Sequence, residues 1–182
     1  CKTSIYKTYE HIDWIPQNSS WVIQINDENT AINELTNNEV FKEVKSLKPK
    51  LTSNISKILS KTHDKKSLLC ITKIGKNESA LTHIYKSPLD STLINEMSID
   101  YSKVKINVEK RDSVVLYSTY ISGFTIRSTS QLLIENSIRK SQQKNSITKN
   151  NLFNTLYLTL DQSAPVNFLI QPQVEELLGT IL

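Results

Sequence analysis

The sequence predicts an α+β domain in which an antiparallel sheet carries helices packed on one face. Three observations lead to this prediction. The chain has 182 residues, which is enough for one domain with a substantial core. Val104, Ile106 and Val108 alternate with polar residues, as in a strand with one face in water. Further strand-like runs follow one another through short turns, and apolar residues at helical spacing lie between them.

The first third of the domain is predicted to contain one strand and two helices. Residues 1–13 are polar and unpatterned, so we expect a tether there and a single domain over residues 14–182. The first strand runs from Trp21 to Ile25. Apolar residues at helical spacing then predict a helix within residues 30–47 and another within residues 51–59.

The middle of the chain is predicted to be a series of hairpins. Residues 67–75 and 79–87 are strand-like runs joined by a short turn after Gly75. Residues 87–97 allow a short helix capped by Asp90 or Ser91. Three strands then follow within residues 103–130, with a turn at Ser122 and Gly123.

Two helices, a strand and a final helix complete the prediction. The helices lie in residues 130–143 and 151–160, separated by a polar loop. The strand in residues 164–172 alternates through Val166, Phe168 and Ile170, and a last helix begins near Gln173. Because a surface terminus rarely closes on two apolar residues, we expect the natural chain to continue past residue 182.

Composition argues against several function classes. The formal net charge is +4, but the lysines are scattered and arginine forks are not clustered, so we expect no nucleic-acid partner. Three glycines in the whole chain are too few and too dispersed for a dinucleotide fingerprint or a phosphate-binding loop. No window reaches the roughly eighteen apolar residues that a membrane-spanning helix requires.

No sequence motif identifies a catalytic or metal site. His11, His63 and His83 are dispersed and stand outside the usual zinc-binding spacings. The G-x-S-x-G motif of serine hydrolases does not occur. We therefore predict no catalytic residue, no cofactor and no metal, and we expect the protein not to be an enzyme.

The two cysteines raise separate questions. Cys1 is open to three interpretations: a residue left by cloning, a disulfide partner of Cys70, or the acylated first residue of a mature bacterial lipoprotein. The third is favoured, because a polar tether after an acylated cysteine would hold a water-soluble domain at a membrane. Cys70 lies in an apolar strand pattern and is predicted to be a small core residue.

Aromatic residues near the tether are candidates for a protein interface. Tyr6, Tyr9 and Trp14 cluster there, and exposed Trp and Tyr are favoured at interfaces. The alternative is that Trp14 covers an edge of the fold. Trp21 is predicted to fill the core.

Three stretches carry a family resemblance: residues 6–27, residues 125–140, and residues 152–171. They resemble the N-terminal region of Bacteroidetes-type envelope lipoproteins of uncharacterised function and, more distantly, a widespread bacterial domain of unknown function. The resemblance implies an outer-membrane lipoprotein and carries over one functional position, Cys1. Some surface lipoproteins have an acidic run after this cysteine, and its absence here favours the periplasm over the cell surface.

These observations together predict a non-enzymatic interaction subunit that is anchored by lipid on Cys1 and docks onto an outer-membrane protein or an envelope complex. Two alternatives stay open. One is an extracytoplasmic hydrolase whose site, around His63 or His83, forms only in three dimensions. The other is a carrier that encloses a lipid or a small apolar ligand between sheet and helices.

Overall fold

Eight strands form one sheet in the computed structural model, which describes residues 9–39, 41–43, 49–59, 66–76, 78–87, 97–143 and 151–170. In chain order the strands are β1 (Ser19–Ile25), β2 (Ser67–Lys73), β3 (Ser79–Lys86), β4 (Ser98–Tyr101), β5 (Val104–Arg111), β6 (Val114–Ile121), β7 (Phe124–Ser128) and β8 (Val166–Ile170). Their order across the sheet is β4-β5-β6-β7-β3-β2-β1-β8. Every neighbouring pair is antiparallel.

Short helices accompany the sheet. They are the 3₁₀ helix η1 (His11–Trp14) and the α-helices α1 (Glu28–Asn37), α2 (Pro49–Ser53), α3 (Ile55–Ile58), α4 (Gln131–Gln143) and α5 (Asn151–Leu158). The predicted α+β class with an antiparallel sheet is confirmed. No described helix is long and apolar enough to cross a membrane.

The helices pack on both faces of the sheet, which corrects the expectation that they occupy one. Trp21, Ile23 and Ile25 of β1 join a core with residues of α1 and α3. Val22, between them, points to the opposite face, where η1, α4 and α5 contribute to a second core. The sequence signal for this arrangement is that β1 and β2 are nearly continuous in apolar residues rather than alternating, which is typical of strands covered on both faces.

Three short turns build the β4–β7 meander. Ser102 and Lys103 join β4 to β5, and both have positive φ, at 51° and 65°. The turn between β5 and β6 contains Asp112, at φ 51°. The turn between β6 and β7 uses Ser122 at φ 51° and Gly123 at 86°, where the sequence predicted it. Positive φ at both central residues of the first and last turns matches the right-handed twist of the strands, so these two turns fix the register of the meander.

The folded domain includes residues assigned above to the tether. Glu10 and Asp13 cap η1, with the Glu10 N–H donating to Asp13 Oδ2 at 2.9 Å. Lys140 of α4 donates to the main-chain oxygen of Asp13. His11 and Asp13 are each 7 % exposed. Residues 9–13 therefore belong to the domain, because their polar groups are tied into it and their side chains reach its core.

Two further elements differ from the prediction. The helix expected after Pro49 is split into α2 and α3 at Asn54. Strand β4 carried no alternating signal, because it is exposed over most of its length and lies at the sheet edge. The predicted helix within residues 87–97 falls outside the described residues apart from Ser87 and Met97, and the final helix from Gln173 lies wholly outside them.

Candidate functional site

The structure describes only some of the predicted site residues. Cys1, Tyr6 and His63 are outside the described residues. Trp14 is 1 % exposed and Tyr9 is partly buried, and their rings stack at 5.1 Å between centroids. Trp14 also lies 6.1 Å from the ring of Phe124, so its side chain belongs to the core of this chain. The suggestion that these residues contact a partner stays a prediction. Of the two that the structure describes, only Tyr9 has a partly solvent-exposed side chain.

The other cysteine and tryptophan considered above are internal. Trp21 is 1 % exposed and fills the core, as predicted. Cys70 is a free thiol with no exposed surface, also as predicted. Burial raises its pKa to about 12, opposed in part by a hydrogen bond from Ser19. A thiol in this state is a weak nucleophile.

An open groove lies at the β4 end of the sheet, and we call it the β4 groove. Its volume is about 610 Å³, and its lining is mainly apolar: Met97, Ser98, Ile99, Val108, Lys110, Val115 and Tyr117. The strand registers place five of these residues on one face of three neighbouring strands. Met97 is 67 % exposed, and Ile99 and Val115 are more than one-third exposed. Apolar side chains are thus left open to solvent side by side.

Helix α4 is joined to the turn of the β4–β5 hairpin, and none of its residues lines the β4 groove. Its Gln142 side chain donates to the main-chain oxygen of Ser102 at 2.8 Å and accepts from the Ser102 hydroxyl at 3.0 Å. These two bonds hold the end of α4 against the β4–β5 turn.

The outer edge of β4 adds main-chain groups to the groove. The Val108 N–H donates to the Met97 oxygen at 3.0 Å, which fixes the alternation of the β4–β5 ladder. In an antiparallel pair, every second residue directs its N–H and C=O away from the neighbouring strand. These residues in β4 are Ser98 and Asp100. Because β4 is the last strand of the sheet, their main-chain groups point outward.

A second candidate site, polar rather than apolar, lies on the other face of the sheet. We call it the Arg127 cluster, and its members are His83, Glu109, Arg111, Thr125 and Arg127. Arg127 stands opposite His83 in the β3–β7 register. Its Nη2 lies 3.8 Å from Glu109 Oε2, and Arg111 Nε lies 2.5 Å from Glu109 Oε1. Arg111 also donates to the main-chain oxygen of Lys57 in α3 at 3.0 Å. One carboxylate thus serves two guanidinium groups.

Several polar atoms of the Arg127 cluster are buried without a hydrogen bond of normal geometry. They are both ring nitrogens of His83, Thr125 Oγ1, and Arg127 Nε and Nη1. Burial, reinforced by the charge of Arg127, lowers the pKa of His83 to about 3, and the Ile58 main chain opposes this only in part. His83 is therefore neutral at physiological pH, with one ring nitrogen carrying a proton.

The geometry around His83 bears on the hydrolase alternative. In the described part of the chain, no serine and no carboxylate hydrogen-bonds to this imidazole, whereas a catalytic triad needs both. Among the described residues, no group of three or more His, Cys, Asp or Glu side chains could hold a metal ion. Sequence reasoning missed the Arg127 cluster, because its members come from three strands that are distant in sequence, β3, β5 and β7.

Comparison with known proteins gives no match: no protein-family model, no curated protein and no solved structure matches this chain. The resemblance to envelope lipoproteins therefore stays a prediction. What the protein does must be argued from the β4 groove and the Arg127 cluster.

Proposed function

We propose that this protein is an interaction module that binds an extended segment of a partner protein along β4. The segment adds a ninth strand to the sheet and places alternate apolar side chains in the β4 groove. The observation that carries this proposal is the coincidence of an open apolar groove with the outward main-chain groups of an edge strand.

The two halves of this surface serve different purposes in recognition. Main-chain hydrogen bonds to Ser98 and Asp100 would supply sequence-independent affinity, as in other cases of strand addition. The side chains of Ile99, Val115 and their neighbours would select for apolar residues at every second position, because strand side chains alternate in direction. Lys110 is the one charged residue in the groove lining and favours an acidic residue in the bound segment.

The second part of the proposal concerns location: the domain is held at the bacterial outer membrane. An acylated Cys1 would hold the domain at the outer membrane, where its partner would be an outer-membrane protein or a subunit of an envelope complex. The mass of the natural amino terminus tests this part separately. Acyl chains on Cys1 support it, and an unmodified thiol overturns it.

Strand addition is tested by purification of the tagged full-length protein from native membranes in mild detergent. Asp100→Pro removes an outward N–H without touching the β4–β5 ladder, and Val115→Lys places a charge in the groove. Asp100→Asn is the matched control, since it keeps the main-chain donor. We expect one defined protein to copurify with the wild type and with Asp100→Asn, and to be lost with the other two variants.

A photo-crosslinking residue in place of Ile99 identifies the bound segment. The cross-linked peptide should come from the same protein and should alternate between apolar and polar residues. The proposal is overturned if no protein copurifies reproducibly, or if all four proteins recover the same partner equally.

A further inference from the structure

The Arg127 cluster carries an excess of buried positive charge. Arg127 and Arg111 share the single carboxylate of Glu109, so this group of three has a net charge of +1. The neighbouring ion pair of Lys57 with Asp112 at 3.6 Å is neutral as a pair and does not offset it. The Arg127 side chain is 4 % exposed. Solvent therefore does little to compensate its charge, and a buried guanidinium without a full partner is strongly unfavourable.

The free donors of the cluster lie close together on the sheet. Thr125 and Arg127 are two residues apart on β7 and face the same side, and His83 is the register partner of Arg127 on β3. Arg127 has both Nε–H and Nη1–H available, and the Thr125 hydroxyl is unpartnered in the described part of the chain. Nε and Nη1 of a guanidinium are separate donors of one planar fork, which suits an oxygen-bearing anion.

We propose that the Arg127 cluster is a binding site for a small oxyanion, the carboxylate or phosphate group of a low-molecular-weight ligand. Arg127 donates through its fork, and the Thr125 hydroxyl gives a further hydrogen bond. The sign of the charge favours an anion over a metal cation. The anion would neutralise the excess charge and satisfy donors that the described residues leave without partners.

This site is independent of the proposed strand addition. Glu109, Arg111 and Arg127 point to the face of the sheet opposite Val108, Lys110 and Val115, as the β5–β6 and β6–β7 registers require. An anion can therefore bind whether or not a partner occupies the β4 groove. The two proposals can fail separately.

Thermal unfolding of the purified protein in different sodium salts tests the site. At constant pH and ionic strength, phosphate or acetate should raise the melting temperature in a saturable manner relative to chloride, because a ligand that binds only the folded state stabilises it. A response to phosphate alone identifies a phosphate ligand, and a response to acetate alone identifies a carboxylate.

Three variants separate the site from general salt effects. Thr125→Val keeps the side-chain shape and removes the hydroxyl, so the apparent dissociation constant should rise about tenfold. Thr125→Ser keeps the hydroxyl and should bind nearly as the wild type does. Arg127→Lys keeps the charge but loses the fork and should bind much more weakly.

The two Thr125 variants decide the question even if the Arg127 variant does not fold. The inference is overturned if neither phosphate nor acetate stabilises the wild type beyond chloride. It is also overturned if Thr125→Val and Thr125→Ser respond to the anion with equal affinity.

Discussion

His83 on β3 and Arg127 on β7 are register partners, and their side chains are buried on the same face of the sheet. Directly opposed residues on antiparallel strands have Cβ atoms about 5 Å apart. A guanidinium is always protonated, so a second positive charge on His83 would be opposed at short range and in a site away from water. The fold therefore holds this histidine in its neutral form.

This arrangement predicts that acid destabilises the protein through His83. Its pKa is about 3 in the folded state, lowered first by burial and then by Arg127, with a smaller contribution from His11. The unfolded chain has a histidine pKa of about 6.5. As the pH falls from about 6.5 towards 3, His83 becomes protonated in the unfolded state but stays neutral in the folded state. The stability that its neutral form allows is therefore complete above about pH 6.5 and is lost progressively between about pH 6.5 and 3.

Urea unfolding across this pH range measures the effect. The free energy of unfolding should fall by up to about 1.4 kcal/mol for each pH unit through His83 alone. The Gln side chain in His83→Gln cannot take up a proton. The free energy of unfolding of this variant should therefore fall less steeply with pH, by that amount. Identical slopes for the two proteins would show that His83 is not the group responsible.

The sequence predicts those features of the fold that depend on local patterns, and it misses those that depend on contacts between distant residues. Val104, Ile106 and Val108 alternate with polar residues, and that local pattern was enough to place β5. The placement of helices on both faces depends on Val22 and Cys70 contacting η1, α4 and α5, and these contacts are not local. Sequence spacing alone could not show that Arg127, His83 and Glu109 meet, since strand order brings them together.

The turn between β4 and β5 predicts a stabilising substitution. Lys103 has φ of 65°, a left-handed conformation that costs a residue with a Cβ roughly 1–2 kcal/mol. Lys103→Gly relieves this cost, although glycine also gains freedom in the unfolded chain, so a net gain of about 0.5 kcal/mol is expected. Ser102 is best left unchanged, because its side chain bonds to Gln142.

The β6–β7 turn allows the reverse substitution, from glycine to a residue with a Cβ at a positive φ. Gly123 has φ of 86°, and a Cβ added there meets no atom within 4 Å. Gly123→Ala should therefore cost about 1 kcal/mol from the backbone alone, without a clash. Thermal or urea unfolding of both variants compares them. Equal effects of the two substitutions would contradict the assignment of these turns.

The effect of Trp14 substitutions on the free energy of unfolding tests whether residues 9–14 are part of the folded domain. Its side chain is 1 % exposed and packs against Tyr9 and Phe124. Trp14→Ala should lower the free energy of unfolding by about 3–5 kcal/mol, and Trp14→Phe by less, since an aromatic ring remains. Its indole N–H is buried without a partner among the described residues, which reduces what Trp14→Phe loses. A change below about 1 kcal/mol in Trp14→Ala would instead support the original assignment of residues 9–13 to the tether.

Cys70 predicts a thiol that reacts only after unfolding. The residue has no exposed surface, and burial raises its pKa to about 12, so almost none of it is thiolate at neutral pH. A chromogenic disulfide reagent should detect no Cys70 in the folded protein and one equivalent of it in guanidinium chloride. Cys70→Ala is the control, because it should remove that equivalent.

The same titration bears on the amino terminus. If Cys1 is acylated through its sulfur, only Cys70 of these two residues should react in the unfolded protein, whereas an unmodified Cys1 should react as well. Rapid reaction of Cys70 itself in the folded state would mean that β2 opens far more readily than a strand with both faces covered should.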